Sequence, residues 1–221
     1  MSDLKKELTF CSRDLGEDVA LMLCFAPPTS DVSGNHSPVA WKAATLAARG
    51  ESSWVVTYTN QVGFCAARIE RNYCVVSGNY TPINVGESTT LICDTAASPP
   101  AYSFTRPVPV PGARGVQASN NTGQRAAIAL GLIDDSDTEH ESITPILAWT
   151  DVEQGKSVSA EFTPIIRAYI NVDCRESQLL GPEIAYTSPV WEGDLASLGP
   201  KTRIQITPDG YGGFVGRSST A

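Results

Sequence analysis

The segment "DDSDTEHE", Asp134 to Glu141, consists entirely of acidic, hydroxyl and histidine side chains, which are metal ligands and acid–base groups. A calcium loop of the EF-hand type has oxygen ligands at alternating positions, a glycine at its sharp turn and a distant bidentate glutamate. Asp135, Asp137 and Glu139 alternate, but no glycine follows them. Strand-like sequences, "AIALGLI" and "ITPILAW", flank the segment. We therefore interpret it as a solvated, metal-free loop tip, with a weak divalent-cation site as the alternative.

Histidine is scarce, and this limits the enzyme chemistry that the chain supports. His36 and His140 are the two histidines, and each lies in a probable turn or loop sequence. Zinc needs three or four protein ligands, and a serine hydrolase would carry a G-x-S-x-G motif, which is missing here. The sequence leaves open a glycosidase with a pair of catalytic carboxylates, for which the candidates are Glu161, Asp173, Glu176 and Glu183. These patterns disfavour zinc and serine-hydrolase chemistry and leave an enzyme of another type open, and we expect no metal cofactor.

The six cysteines form no C-x-x-C pair, which disfavours a zinc knuckle or a thioredoxin-type site. The N-terminal sequence MSDLKKELTF has no apolar core, so it does not resemble a secretory signal. We therefore expect a cytoplasmic protein whose cysteines are free thiols. The formal net charge of −8 repels phosphate groups, which disfavours nucleic acids and anionic membranes as partners.

Alternating apolar residues predict strands. In "KSVSAEFTPIIRAYINVD" every second residue from Val158 to Val172 is apolar, including Phe162 and Ile166. Such alternation is typical of a strand with one buried face. Pro164 interrupts this run and cannot donate a ladder hydrogen bond, so we expect a bulge, a bend between two sheets or an edge position there. Shorter runs predict that Trp54, Val56 and Tyr58 share a face, as do Ile128, Leu130 and Leu132.

The remaining segments complete the predicted architecture. Residues 105–124, rich in proline and glycine, show no apolar period and are predicted to form a long loop, either a crossover or a flap over a site. "SPVWEGDLASLGP" is compatible with one short helix that Ser188 caps, although Gly193 disfavours it. We therefore predict a single domain over residues 1–221, an all-β, two-sheet antiparallel sandwich with at most one short helix. Its exposed sheet edges are compatible with a homodimer.

Aromatic residues indicate where a ligand could bind. Trp41, Trp54, Trp149 and Trp191 are spread along the chain, and each could fill the core or line a pocket. Arg167 and Tyr169 lie on the face of the long strand that points away from its apolar residues. We predict a small-molecule site formed by Trp149, Arg167 and Tyr169, provided that "ILAWTD" and "RAYIN" pair across the Glu153–Lys156 turn. The alternative is that neither residue binds a ligand, with Trp149 in the core and Arg167 in solvent.

Several segments resemble a group of β-sandwich proteins from mushroom-forming fungi that have no secretory signal. They are "AWTDVEQGKSV", "FTPIIRAYI", "SPVWEGDLASL", "TRIQIT" and "YTPINVGESTTL", and the last also resembles the aegerolysin haemolysins. Within the group, size, acidity and the missing signal are similar to those of the pink chromoprotein type of oyster mushrooms. That resemblance implies a protein that is not an enzyme and that binds a conjugated pigment non-covalently, an organic chromophore of indole-derived type. The aegerolysin likeness implies the alternative, a lectin or a lipid-binding defence protein.

Overall fold

The protein is built from β-strands. The computed structural model describes residues 5–26, 36–134, 141–170 and 174–220. In this part of the chain the one helical segment is a 3-10 helix at Pro182–Tyr186, so the all-β prediction is confirmed. No helix of the described residues is long and apolar enough to cross a bilayer.

The described residues contain eighteen strands, which we number along the chain. They are β1 (Lys5–Arg13), β2 (Val19–Phe25), β3 (Ser37–Pro38), β4 (Lys42–Leu46), β5 (Glu51–Thr59), β6 (Val62–Ile69), β7 (Val75–Pro82), β8 (Glu87–Asp94), β9 (Ala101–Phe104), β10 (Val108–Pro109), β11 (Val116–Asn121), β12 (Ala126–Asp134), β13 (Ser142–Val152), β14 (Ser157–Ala160), β15 (Ile165–Ile170), β16 (Trp191–Asp194), β17 (Lys201–Pro208) and β18 (Phe214–Thr220).

These strands form four sheets within the described residues. Sheet I has the order β18-β17-β1-β5, and sheet II has the order β16-β15-β2-β4. Sheet III has the order β3-β13-β12-β6-β7, and sheet IV has the order β10-β8-β11-β14, with β9 also paired to β8. Two pairs are parallel, β1 with β17 and β8 with β11. The architecture therefore differs from the predicted pair of antiparallel sheets, because local alternation identifies strands but not their partners.

One continuous buried cluster joins all four sheets. It includes Leu8 of sheet I, Leu21 of sheet II, Phe64 of sheet III and Leu91 of sheet IV, all at most 1% exposed. The predicted faces are confirmed for Val56 and Tyr58 on β5 and for Ile128, Leu130 and Leu132 on β12, which all lie in this cluster.

The long alternating segment is divided between two sheets at the place where Pro164 lies. Residues 161–164 belong to no strand; β14 before them pairs with β11 in sheet IV, and β15 after them pairs with β2 and β16 in sheet II. The predicted bend between two sheets is therefore confirmed. The predicted apolar face is confirmed for Val158, Ala160, Ile166 and Ala168, each at most 3% exposed. Phe162 is only partly buried.

The predicted helix at "SPVWEGDLASLGP" is wrong. Residues 191–194 form β16, in which Trp191 is buried and Glu192 is exposed. The carboxylate of Asp194 then accepts a hydrogen bond from the Ala196 amide at 2.8 Å, which stabilises a turn. A Cβ at Gly193 would lie 2.5 Å from the Trp191 ring, so this glycine makes room for the indole.

The prediction of a long loop at residues 105–124 is also wrong in its second half, because β11 lies there. Val116, Ala118 and Asn120 alternate as its buried positions. Asn120 is fully buried: its amide donates to the carbonyls of Gln124 and Val152, both at 2.8 Å, and its side-chain oxygen accepts from the Thr122 hydroxyl. Because the polar Asn120 occupies a buried position of β11, the apolar alternation that would identify this strand is not visible in the sequence.

Candidate functional site

A cleft of about 1030 Å³ lies on the faces of sheets II and III that point away from the main core. Cys24 on β2 and Arg167 and Tyr169 on β15 line it from sheet II, and Thr150 on β13 lines it from sheet III. A volume of this size corresponds to the upper end of the range for small-molecule sites.

A covering segment, residues 177–186, forms the roof of the cleft. The segment is hydrogen-bonded on two sides: Leu180 N donates to the Pro38 carbonyl and Leu179 N to the Tyr73 carbonyl, both at 2.9 Å. It continues into the 3-10 helix, which brings Glu183, Ile184 and Tyr186 to the cleft. The roof is therefore attached by backbone hydrogen bonds to residues that precede β4 and β7.

Arg167 and Tyr169 enter the cleft together because they alternate with Ile166 and Ala168, which are buried in the main core. The Nε of Arg167 donates to Oε2 of Glu192 at 2.6 Å, and the same two residues are register partners of β15 and β16. The charge of Arg167 acts on the hydroxyl of Tyr169, which is 2% exposed. A neutral tyrosine hydroxyl can donate its proton to a ligand.

Cys24 and Tyr169, which line the cleft from sheet II beside the charged Arg167, are neutral at physiological pH. Burial raises the pKa of Tyr169, and the effect of Cys24 adds to this increase while Arg167 opposes it. Burial also raises the pKa of Cys24 to about 12, so this residue is a thiol and not a thiolate. A thiol is a poor nucleophile, and the Tyr169 hydroxyl is a hydrogen-bond donor. This pair is therefore suited to holding a ligand and not to attacking it.

Aromatic side chains form the mouth of the cleft. Tyr73 is 65% exposed and Tyr186 is 89% exposed, and both line it together with His36. Tyr73 has a φ of +62°, a left-handed conformation that is unusual for a bulky residue. The Tyr73 amide donates to the Glu70 carbonyl at 2.9 Å, and this turn holds the conformation. Rings held exposed at a cleft mouth can stack on a flat ligand.

Trp149 does not line this cleft, contrary to the predicted three-residue site. β13 pairs with β12 and β3, whereas β15 pairs with β2 and β16, so the assumed pairing of "ILAWTD" with "RAYIN" is wrong. Trp149 is 3% exposed and packs on Phe64, with ring centroids 6.3 Å apart. Its ring also lies 6.4 Å from that of His36, which does line the cleft. Trp149 therefore supports the wall from behind.

Sequence reasoning missed Tyr73 and the covering segment, and it did not assign Tyr186 to the site. Tyr73 lies in the turn "RNYC" and Tyr186 in "EIAYTS", and neither belongs to an alternating run. The signal that identifies Tyr73, its positive φ, exists only in the folded backbone.

A second groove, of about 790 Å³, lies beside the cleft on sheet III. Its floor is formed by small residues, among them Ala66, Gly78 and Ala127, and its rim carries Arg125. Arg125 is paired with both Asp151 and Glu153. Ile69 and Thr150 line both the groove and the cleft, so the two cavities adjoin at these residues.

The acidic segment that opened the sequence analysis is only partly described. Asp134 and Ser142 pair at the ends of β12 and β13, which confirms that strands flank the segment. Glu141 accepts a hydrogen bond from the Tyr80 hydroxyl at 2.9 Å. Residues 135–140 lie outside the described residues, and they include Asp135, Asp137, Glu139 and His140. Among the residues that are described, no group of three or more His, Cys, Asp or Glu side chains could hold a metal ion.

The comparisons with known proteins give no relative: no family model, no curated protein and no solved structure matches this chain.

Proposed function

We propose that this protein binds a small, flat, conjugated organic ligand non-covalently in the cleft, without catalysing a reaction on it. The observation that supports this proposal is the shared position of Arg167 and Tyr169 beneath a mouth of exposed tyrosine rings. Ligand sites of this kind combine apolar or aromatic walls with a few donors that fix the polar end of the ligand.

A pigment is the ligand type that we favour. The resemblance to fungal chromoproteins suggests a conjugated chromophore, and the cleft volume of about 1030 Å³ leaves room for a molecule of several rings. The neutral thiol of Cys24 supports non-covalent attachment, because a thiol with a pKa of about 12 forms few thiolate adducts.

A lectin or a lipid-binding protein of aegerolysin-like type is the second candidate, and a different surface favours it. Tyr211 is 96% exposed at the tip of the β17–β18 hairpin. The Asp209 carboxylate accepts hydrogen bonds from the Tyr211 and Gly213 amides, at 2.7 and 2.9 Å, and so orders the tip. An exposed aromatic ring on an ordered tip is suited to stack on a sugar or to enter a lipid headgroup layer.

The deciding experiment is the absorption spectrum of the protein isolated from its natural source. A visible band that persists through gel filtration, and a coloured small molecule released by organic solvent, are the expected results. A colourless protein without extractable ligand would contradict the pigment proposal. Binding of such a protein to glycans or to sphingolipid vesicles, lost in Tyr211→Ala, would then favour the second candidate.

Two variants connect the colour to the cleft. Tyr169→Phe removes one hydroxyl and Arg167→Gln removes the guanidinium, so each should retain less pigment than the natural protein. Tyr211→Phe, which changes a tyrosine outside the cleft in the same way as Tyr169→Phe, is the matched control and should retain the full amount. Equal retention in Tyr169→Phe and Tyr211→Phe would place the pigment elsewhere.

A further inference from the structure

The charges around the cleft disfavour an anionic ligand. Arg167 is the one arginine or lysine that lines it among the described residues, and the guanidinium is already paired with Glu192 at 2.6 Å. Glu183 adds a second carboxylate at the wall formed by the 3-10 helix. The chain as a whole carries a formal charge of −8. A ligand carboxylate or phosphate would therefore meet one cation balanced by one carboxylate, with further negative charge nearby.

The hydrogen-bonding groups that line the cleft are of two kinds. On β15, Arg167 and the Tyr169 hydroxyl offer donors. On the 3-10 helix, the Glu183 carboxylate offers acceptors only. Phe25 and Pro38 also line the cleft and contribute apolar surface. A ligand that satisfies both elements has an acceptor for the donors of β15 and a donor for the Glu183 carboxylate.

Gly181 keeps the Glu183 carboxylate where it lies. A Cβ at Gly181 would overlap both carboxylate oxygens of Glu183. The carboxylate therefore lies against the Gly181 backbone, at the first turn of the 3-10 helix, and any larger residue at position 181 would displace it. The position of the Glu183 carboxylate thus depends on the absence of a side chain at Gly181. A substitution at Gly181 can therefore move the carboxylate without changing the charge of the cleft.

We infer that the ligand is a flat ring system without negative charge, with a carbonyl-type acceptor directed at Arg167 and Tyr169 and an N–H or O–H donor directed at Glu183. This inference rests on the proposed function, because it assigns the ligand class of the same cleft. Such a molecule satisfies the donors and the acceptor and brings no negative charge into a negatively charged site.

Three coumarin dyes test the inference, since they share one ring system and differ in one group each. 7-Amino-4-methylcoumarin has a carbonyl and an amine, 7-dimethylamino-4-methylcoumarin has lost the N–H donors, and 7-amino-4-methylcoumarin-3-acetate carries a negative charge. Fluorescence anisotropy titrations with the full chain, freed of bound pigment by solvent extraction and refolding, report the three affinities. We expect the amine to bind about fivefold tighter than the dimethyl dye, as for one hydrogen bond to a partly solvated carboxylate, and tighter than the acetate.

Variants assign the preference to the two walls. Glu183→Gln and Gly181→Ala should each reduce the preference for the amine over the dimethyl dye, and Arg167→Gln should weaken all three dyes. Glu51→Gln is the matched control: it makes the same charge change at an exposed residue of sheet I, which pairs with Arg13, and should leave all affinities unchanged.

The outcomes separate the two proposals. Tightest binding of the acetate dye, or equal binding of the amine and dimethyl dyes, would overturn the inference about ligand class while leaving a ring-binding cleft. Failure of all three dyes to bind would overturn the inference and count against the proposed function as well, because the aromatic cleft would then hold no flat ring.

Discussion

Leu179 and Leu180 are neighbours in the chain, yet their side chains pack on two different sheets. Leu179 packs with Cys65 and Ala129 on sheet III, and Leu180 packs with Met22 and Tyr169 on sheet II. The covering segment is therefore attached to sheets II and III by two consecutive side chains.

Leu180→Ala should release the covering segment from sheet II. Leu180 is 5% exposed, so we expect the free energy of unfolding to fall by about 2–4 kcal/mol through lost burial and a cavity. Urea unfolding followed by fluorescence measures this change. Leu180→Met nearly conserves the volume and should cost less than about 1.5 kcal/mol. Equal losses in the two variants would show that packing of Leu180 does not hold the segment.

Val55 and Val56 provide a matched test of the alternation in β5. Val56 is 4% exposed and Val55 is 53% exposed. Val56→Ala should lower the free energy of unfolding by about 2 kcal/mol, whereas Val55→Ala should change it by less than about 0.5 kcal/mol. Thermal or urea unfolding of the two variants measures the difference. A larger loss at Val55 would mean that the faces of β5 are assigned in the wrong order.

Asn120→Ala should destabilise the protein more than an ordinary surface change. Its amide satisfies the buried carbonyls of Gln124 and Val152, and these would lose their partners. We expect a loss of about 2–4 kcal/mol in urea unfolding, as for two hydrogen bonds whose partners stay buried. Asn121→Ala, at the next and exposed position, removes only an acceptor for Gln154 and is the control. Similar losses at both positions would contradict the central role of Asn120.

The tip of the β17–β18 hairpin should respond to acid. Hydrogen bonds from the Tyr211 and Gly213 amides lower the pKa of Asp209, so the carboxylate stabilises the tip at pH values above the ordinary aspartate pKa of about 3.9. This stabilisation is lost as the pH falls through the lowered pKa of the folded state. Amide NMR shifts of Tyr211 and Gly213 should therefore titrate with a midpoint below the ordinary value, and Asp209→Asn should abolish the titration. A midpoint above the ordinary value would refute the assignment.

Much of the fold follows from local sequence patterns, because a strand whose one face packs on the core alternates apolar and polar residues along a short stretch of sequence. The positions of β5, β12 and β15 that face the main core are visible in this way, and so is the division of the long segment at Pro164. The pairing of strands with one another, in contrast, is not determined by residues that are close in sequence. The parallel pairing of β1 with β17 joins segments that nothing nearby in the sequence connects, and β11 is hidden because Asn120 occupies one of its buried positions.

In the candidate site too, the features that depend on local alternation could be predicted, and those that depend on strand pairing or on turns could not. The alternation that buries Ile166 and Ala168 places Arg167 and Tyr169 on one opposite face, and the structure has them in one cleft. Trp149 was assigned to that site through a strand pairing that does not exist, since β13 pairs with β12 and β3. Tyr73 and Tyr186 reach the cleft through a left-handed turn and a 3-10 helix, and neither of these leaves a periodic signal in the sequence.

The central place of β1 in sheet I has a consequence for biosynthesis. β1 pairs with β5 on one edge and with β17 on the other, and Lys5–Arg13 leave the ribosome well before Lys201–Pro208. At about 5–20 residues per second, the nascent chain presents one open edge of β1 for about ten seconds or more. An open edge can pair with another chain, so crowded polysomes are where aggregation of this protein should begin, and chaperones that cover extended segments should raise its yield.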